Sequence, residues 1–263
     1  MDRSARWRQI MALPTDEVPL DEAALLISAH ANPSLDVAAE LRHLDQMAAE
    51  VPSGATDDLL AFLFGILGLH GDRIAYDDPR NSYLDRVIER RRGIPISLSV
   101  LVVELGRRLD LGLEGVGMPG HFLVRDRAEP ELLIDPFAGG HRLDHDGCER
   151  LLQATAGPAA RLSHGMLAPT GAHSVLARML HNLDGSFRRR NDHRSLTWVT
   201  QLRLSVPGLP LSTRAELAAL IGELGYPGEA AAAYNDLAKW PGLDVEVAQR
   251  LEARAIAAAA RLN

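Results

Sequence analysis

The 263-residue sequence is poor in cysteine: it has one, Cys148. An intrachain disulfide is excluded, which fits a reducing, cytoplasmic setting. Any thiol chemistry would have to use this one side chain. Aromatic residues are also scarce, at 5%, and Trp198, Tyr234 and Trp240 fall inside helical patterns, where packing is the simpler role than a ligand box. Long apolar runs are missing. The longest, Ile94 to Val103, contains two serines and is too short for a membrane span, so no membrane partner is expected. Met1 to Ile10 carries three arginines and leads into no apolar segment, unlike a secretory signal. There is no excess of positive charge either. At a net charge of −7 the surface repels phosphate backbones, and no nucleic-acid partner is expected. The runs Arg90-Arg91-Arg92 and Arg188-Arg189-Arg190 lie within helical patterns. The polar cluster His141, Asp144, His145 and Asp146 matches no strong metal-ligand spacing, and neither metal nor cofactor is expected.

What the sequence does have is helical periodicity at both ends and a short sheet signal between. Pro19 to about His30, Asp36 to Val51 and Asp57 to Leu67 read as helices, the last with Asp57 as its N-cap. Asn32-Pro33 and Pro52-Ser53-Gly54 break them. A short helix over Asn81 to Arg91 and the break Gly93-Ile94-Pro95 precede Ile96 to Leu109. That helix is apolar almost all round at its start, which places it in a core, and Arg107 and Arg108 suit its negative end. Further on, Ser174–Arg188, Arg194–Ser205, Ser212–Leu224, Gly228–Trp240 and Val245–Leu262 read as helices joined by short turns. Small residues (Ala218, Ala219, Gly222, Ala230, Ala231, Ala233) lie where two of them would cross, in the manner of a tetratricopeptide-type pair.

Strands are predicted at Leu113–Val116, His121–Arg125 and Glu131–Asp135, with the polar turn Asp126–Pro130 closing an antiparallel hairpin. Centring the hairpin on Ala128 sets Arg125 against Glu131, Leu123 against Leu133 and His121 against Asp135. All three pairs are favourable and all lie on one face. A carboxylate beside an imidazole fixes its tautomer and stabilises its cationic form. That is the base-and-orienter half of a nucleophilic triad. The missing nucleophile would sit at the start of the buried helix, where Ser97 is the nearest hydroxyl. For Ser97 the alternative is a first-turn serine satisfying free backbone amides, and Ser99 has the same alternative. Cys148 follows the dyad within a capped helical segment, Asp144 to Leu152, and reads as a buried inert thiol.

The strings Asn81-Ser82-Tyr83-Leu84, Arg91-Arg92-Gly93-Ile94-Pro95-Ile96-Ser97-Leu98-Ser99, Gly115 to Arg125 and Ile134-Asp135-Pro136-Phe137-Ala138-Gly139-Gly140 resemble the SirB-type transglutaminase-like family, over roughly Leu13 to Leu262. These are bacterial proteins. The resemblance implies an α+β fold with a papain/transglutaminase-like core, a buried helix on a small antiparallel sheet. N-terminal helices and a C-terminal tetratricopeptide-like region flank it. It implies a helical region at 1–72, the core at 73–168 and the C-terminal helices at 169–263. It places His121 and Asp135 where those enzymes have their catalytic His and Asp. Where they have cysteine after a glycine, this chain runs Gly93-Ile94-Pro95-Ile96-Ser97. A serine hydroxyl cannot be ionised as a thiol can by a helix N-terminus and an imidazole. The favoured expectation is therefore a degenerate triad in a binding or regulatory module, with the C-terminal helices engaging a protein partner. The alternative is a hydrolase or acyltransferase acting on an amide or ester through His121 and Asp135 with Ser97 or an activated water. Arg91 and Arg92 are candidates for holding an anionic group near the cleft, against ion pairing with Asp85 or Glu89 on the same helix.

Overall fold

The computed structural model describes residues 2–262 and forms two compact units, Met1–Asn182 and Leu183–Asn263. The fold is α+β. The first unit opens with α1 (Arg3–Met11), α2 (Leu20–Ala31), α3 (Val37–Ala49) and α4 (Thr56–Leu60), the last running on as a π-helical turn over Ala61–Ile66. Helix α1 was not legible as periodicity because its buried residues Trp7, Ile10 and Met11 stand among arginines. Asp36 caps α3 by accepting from the Ala39 amide at 3.1 Å. Asp57 does not cap α4. The helix begins one residue earlier, at Thr56, whose hydroxyl donates to Asp126 at 2.5 Å. The first unit holds everything from these helices through the core to Asn182, so the division falls inside a helix rather than near residue 169.

Two short strands, β1 (His70–Gly71) and β2 (Arg92–Gly93), pair in parallel on either side of α5 (Leu84–Arg90). Buried Ser28 ties α2 to α5 by accepting the Leu84 amide at 3.1 Å. Then comes α6 (Pro95–Arg108), buried on almost every side. Proline at its first position is preorganised for helix entry. It packs on the antiparallel sheet of β3 (Leu113–Val116), β4 (Leu123–Asp126), β5 (Leu133–Asp135) and β6 (His141–Leu143), in spatial order of sequence. Helix α7 (His145–Ala156), capped by Asp144 through the Gly147 amide at 2.8 Å, closes a second cluster around Val116, Met118, Leu123, Leu133, Cys148 and Leu152. The sheet is thus covered on both sides.

The hairpin register differs by two residues from the expected one. Arg125 stands opposite Leu133 and Val124 opposite Ile134. Two successive turns cause this. The Glu129 amide donates to the Asp126 carbonyl and the Leu132 amide to the Glu129 carbonyl, each at 3.1 Å. Asp126 also fixes the Ala128 amide through its carboxylate. Glu131 is therefore spent in the loop. A slip of two, unlike a slip of one, leaves every side chain on its expected face. Strand β6 was missed because it is three residues long and mostly polar, yet it pairs fully with β5, setting Asp135 opposite His141.

Helix α8 (Ala172–Arg190) begins in the first unit and ends in the second. The second unit continues with α9 (His193–Ser205), α10 (Leu211–Glu223), α11 (Pro227–Ala238) and α12 (Val245–Ala259). Helices α10 and α11 approach closely because their crossing residues are small. A Cβ added at Gly222 would lie 3.1 Å from that of Ala230. Tyr234, Leu237, Leu251 and Ala255 fill the space between α11 and α12.

The last turn of α6 carries a charge network. Arg107 and Arg108 reach Asp21 at 3.1 and 2.7 Å, and Arg107 holds Glu104 at 2.9 Å. Asp21 and Glu104 are both buried. Burial, and then the charge of Asp21, push the Glu104 carboxyl from 4.5 up to about 7 despite the two arginines. A carboxyl raised on folding stabilises the fold fully below its unfolded value and loses that contribution as pH rises through the folded one. Stability should therefore decline between pH 4.5 and 7. Glu104→Gln should flatten that decline, which urea titrations of both chains across the interval would measure.

Candidate functional site

The site is built around a turn and a strand end. Met118-Pro119-Gly120-His121 forms a turn in which the His121 amide donates to the Met118 carbonyl at 3.1 Å. Gly120 sits at φ +71, where a Cβ would also meet Thr155 at 2.9 Å. Proline then glycine is the residue order that a type II turn requires. This turn delivers the His121 ring to the end of β5. Its Nε2 meets Asp135 Oδ1 at 2.9 Å, with both side chains only 6% exposed. The same oxygen accepts the amides of Phe137 at 3.0 Å and Ala138 at 3.2 Å, capping a 3-10 turn over Pro136–Ala138.

Phe137 stands edge-on to the imidazole at 5.9 Å and to Tyr76 at 6.0 Å, and the Arg73 guanidinium lies 4.9 Å above it. Gly71 makes room for this ring: a Cβ there would fall 2.4 Å from it. The imidazole opens on a cavity of about 300 Å³, lined by Tyr76, Pro95, Ile96, Gly120, His121, Phe122, Arg178, His181 and Asn182. Among the described residues nothing hydrogen-bonds His121 Nδ1.

His121 and Asp135 are thus brought together. Ser97 is not brought to them. Its hydroxyl accepts the Ile94 amide at 3.1 Å and donates to the Asn81 carbonyl at 2.6 Å, closing the entrance of α6, and it is fully buried. At the start of this helix the residues that face the cavity are Pro95 and Ile96. Ser99 is buried and donates to the Phe122 carbonyl at 3.3 Å. Cys148 is buried in the cluster beneath α7. Burial, with the charges of Asp144 and Asp135 adding, pushes its thiol up to about 11, so it is almost entirely protonated at neutral pH.

Arg91 and Arg92 are exposed and do not line the cavity. Arg91 ends α5 in the left-handed region at φ 54. Asp85 and Glu89 pair instead with Arg86. The cation that does reach the cavity is Arg178, on α8. Its Nη2 donates to the carbonyls of Met118 at 3.0 Å and His121 at 2.9 Å, and its guanidinium stacks 5.1 Å from the centre of Phe122. It was missed, with His181 and Asn182, because it lies 35 or more residues beyond the strands in the sequence. The available signal was an arginine three residues after buried Val175, on the apolar side of a helix.

The family profile described as Transglutaminase-like superfamily matches residues 34–181. This chain belongs to the transglutaminase-like superfamily. A UPF0162 protein of Xylella fastidiosa (strain 9a5c) is 33% identical over 248 residues, covering 89% of this chain and 87% of its own. Protein SirB1 of Salmonella typhimurium is 31% identical over 132 residues, 49% of each chain. F-box only protein 21 of Homo sapiens is 33% identical over 146 residues, which make up 52% of this chain but 22% of the human one. No solved structure matches.

In this transglutaminase-like chain Asp135 is both orienter and cap. Asp135→Ala should lower stability by about 2 kcal/mol, the upper range for a lost cap. Asp135→Asn keeps the accepting oxygen and should recover most of it. Chemical denaturation of the two variants beside wild type checks the pair.

Proposed function

We propose that this protein is a transglutaminase-like binding or regulatory module that has given up thiol chemistry and keeps the His121–Asp135 dyad as the wall of a ligand cavity. One observation carries the reading: Pro95 and Ile96 line the imidazole's cavity where the family resemblance sets a nucleophile, while Ser97 is held by backbone groups. A triad without its nucleophile loses most of its rate. The sole thiol, Cys148, is buried and pushed up to about 11. We place the protein in the cytoplasm, in keeping with its single cysteine. The tetratricopeptide-like C-terminal helices are the segment proposed to engage a protein partner. In support, that unit exposes Tyr226, Trp240, Val245 and Ile256, large apolar side chains of the kind that protein interfaces cover.

A second reading draws on the geometry of the dyad itself. Asp135 holds Nε2 of the ring at 2.9 Å and His121 lines the cavity, so Nδ1 is the nitrogen left to act as a general base on a water attacking an amide or ester.

Reactive probes separate the two. Wild type, Ser97→Ala, His121→Ala and Cys148→Ala are treated with a fluorophosphonate and with iodoacetamide, and assayed for hydrolysis of a p-nitrophenyl ester. The native chain should show no His121-dependent labelling or hydrolysis, and iodoacetamide should reach Cys148 only on unfolding. Labelling or turnover that disappears in His121→Ala would overturn the binding reading.

A further inference from the structure

The cavity beside His121 has a charge that the dyad does not explain. Arg178 is half-buried in its wall. Its Nη2 is engaged by two neutral carbonyls, those of Met118 and His121. No carboxylate among the described residues forms an ion pair with it. Burial accordingly lowers its affinity for the proton, with no acidic side chain besides the Tyr76 phenol acting against that. Buried charges are ordinarily paired, because an unpaired one loses its hydration without compensation.

The other groups around the cavity point the same way. Its lining contains no Asp or Glu. Asp135 stands behind the imidazole, engaged with Nε2 and two amides. Asp77 is exposed, outside the cavity lining, and its charge raises the Tyr76 phenol. His121 is 94% buried as a side chain, from its 6% exposure, and its Nδ1 has no partner among the described residues. The Tyr76 hydroxyl adds a donor to the lining. The 14-residue helix α6 begins at Pro95, which brings its positive end to this wall. Pro95, Ile96 and Phe122 supply an apolar floor. A volume of about 300 Å³ is at the small end for ligand sites.

We infer that this cavity binds a small carboxylate, either free or as the C-terminus of a peptide, with its oxygens on the Arg178 guanidinium and the Tyr76 hydroxyl. A guanidinium beside a second donor suits a planar two-oxygen acceptor. The inference rests on the binding reading above. It replaces Arg91 and Arg92, which are exposed and outside the cavity, as the place where an anion is held.

The test uses the full chain and four probes: N-acetylalanine, N-acetylalanine amide, N-acetyl-trialanine and N-acetyl-trialanine amide. Binding is followed by calorimetry and by the His121 ring signals in ¹H–¹⁵N spectra. Each free acid should bind roughly ten-fold or more tightly than its amide, the usual weight of a hydrogen bond to a charged group. Arg178→Gln should remove that preference. The two acids separate the sources: tighter binding of the trialanine acid assigns a peptide terminus, and tighter binding of N-acetylalanine a free acid. Equal binding of acid and amide, or no binding of any probe, overturns the inference. The wild-type comparison decides the matter even if Arg178→Gln fails to fold. Cleavage of a bound acid that depends on His121 would instead overturn the binding reading and leave the carboxylate preference standing.

Discussion

A single carboxylate oxygen, Asp135 Oδ1, is the point on which the centre of this molecule converges. It ends β5, caps the turn that follows and orients the imidazole. Two of the three donors, the Phe137 and Ala138 amides, follow at once in the chain, and the third, the imidazole, arrives from 14 residues upstream by way of the Pro119-Gly120 turn. Because Phe137 follows Asp135 by two residues, the same anchor positions the aromatic ring that braces the imidazole and Tyr76. Removing that oxygen would therefore disturb the strand end, the turn and the cavity wall together. Such a group is retained for structural reasons as well as for any chemistry it performs, so its presence alone does not mark an enzyme.

Helix α6 connects this point to the rest of the first unit. Its start is closed by Ser97 and opens on the cavity through Pro95 and Ile96. Its end is held by Asp21, Glu104, Arg107 and Arg108. Between these ends it is buried almost all round, so neither end can shift without the other. The aliphatic middle gives the helix its place in the core, and polar groups at the two ends set its position along its own axis.

The sequence was most legible where a physical pattern repeats. The apolar run of α6, the strands at Leu113–Val116 and near His121 and Asp135, and the C-terminal helices all followed from periodicity. The hairpin register was misjudged by two residues because the loop is built by Asp126 and Glu129 acting in succession, a detail that alternation does not encode. The face survived the error, and with it the meeting of His121 and Asp135. The role of Ser97 could be narrowed but not settled by spacing, since a first-turn serine can face either backbone or cavity. Arg178 was out of reach because nothing local ties residue 178 to a turn at residue 120. Strands β1, β2 and β6 are two or three residues long and carry no periodicity to read.

Ser97 also bears on where a nucleophile could be introduced. Its hydroxyl closes the entrance to α6, so exchanging it for a stronger nucleophile would unfasten the helix start while still pointing the new group away from the ring. A variant given an acyl-transfer nucleophile would have to carry it at Pro95 or Ile96, the residues at the helix start that line the cavity. Of these, Pro95 fixes the geometry of helix entry, which leaves Ile96 as the position where such a change would disturb the scaffold least.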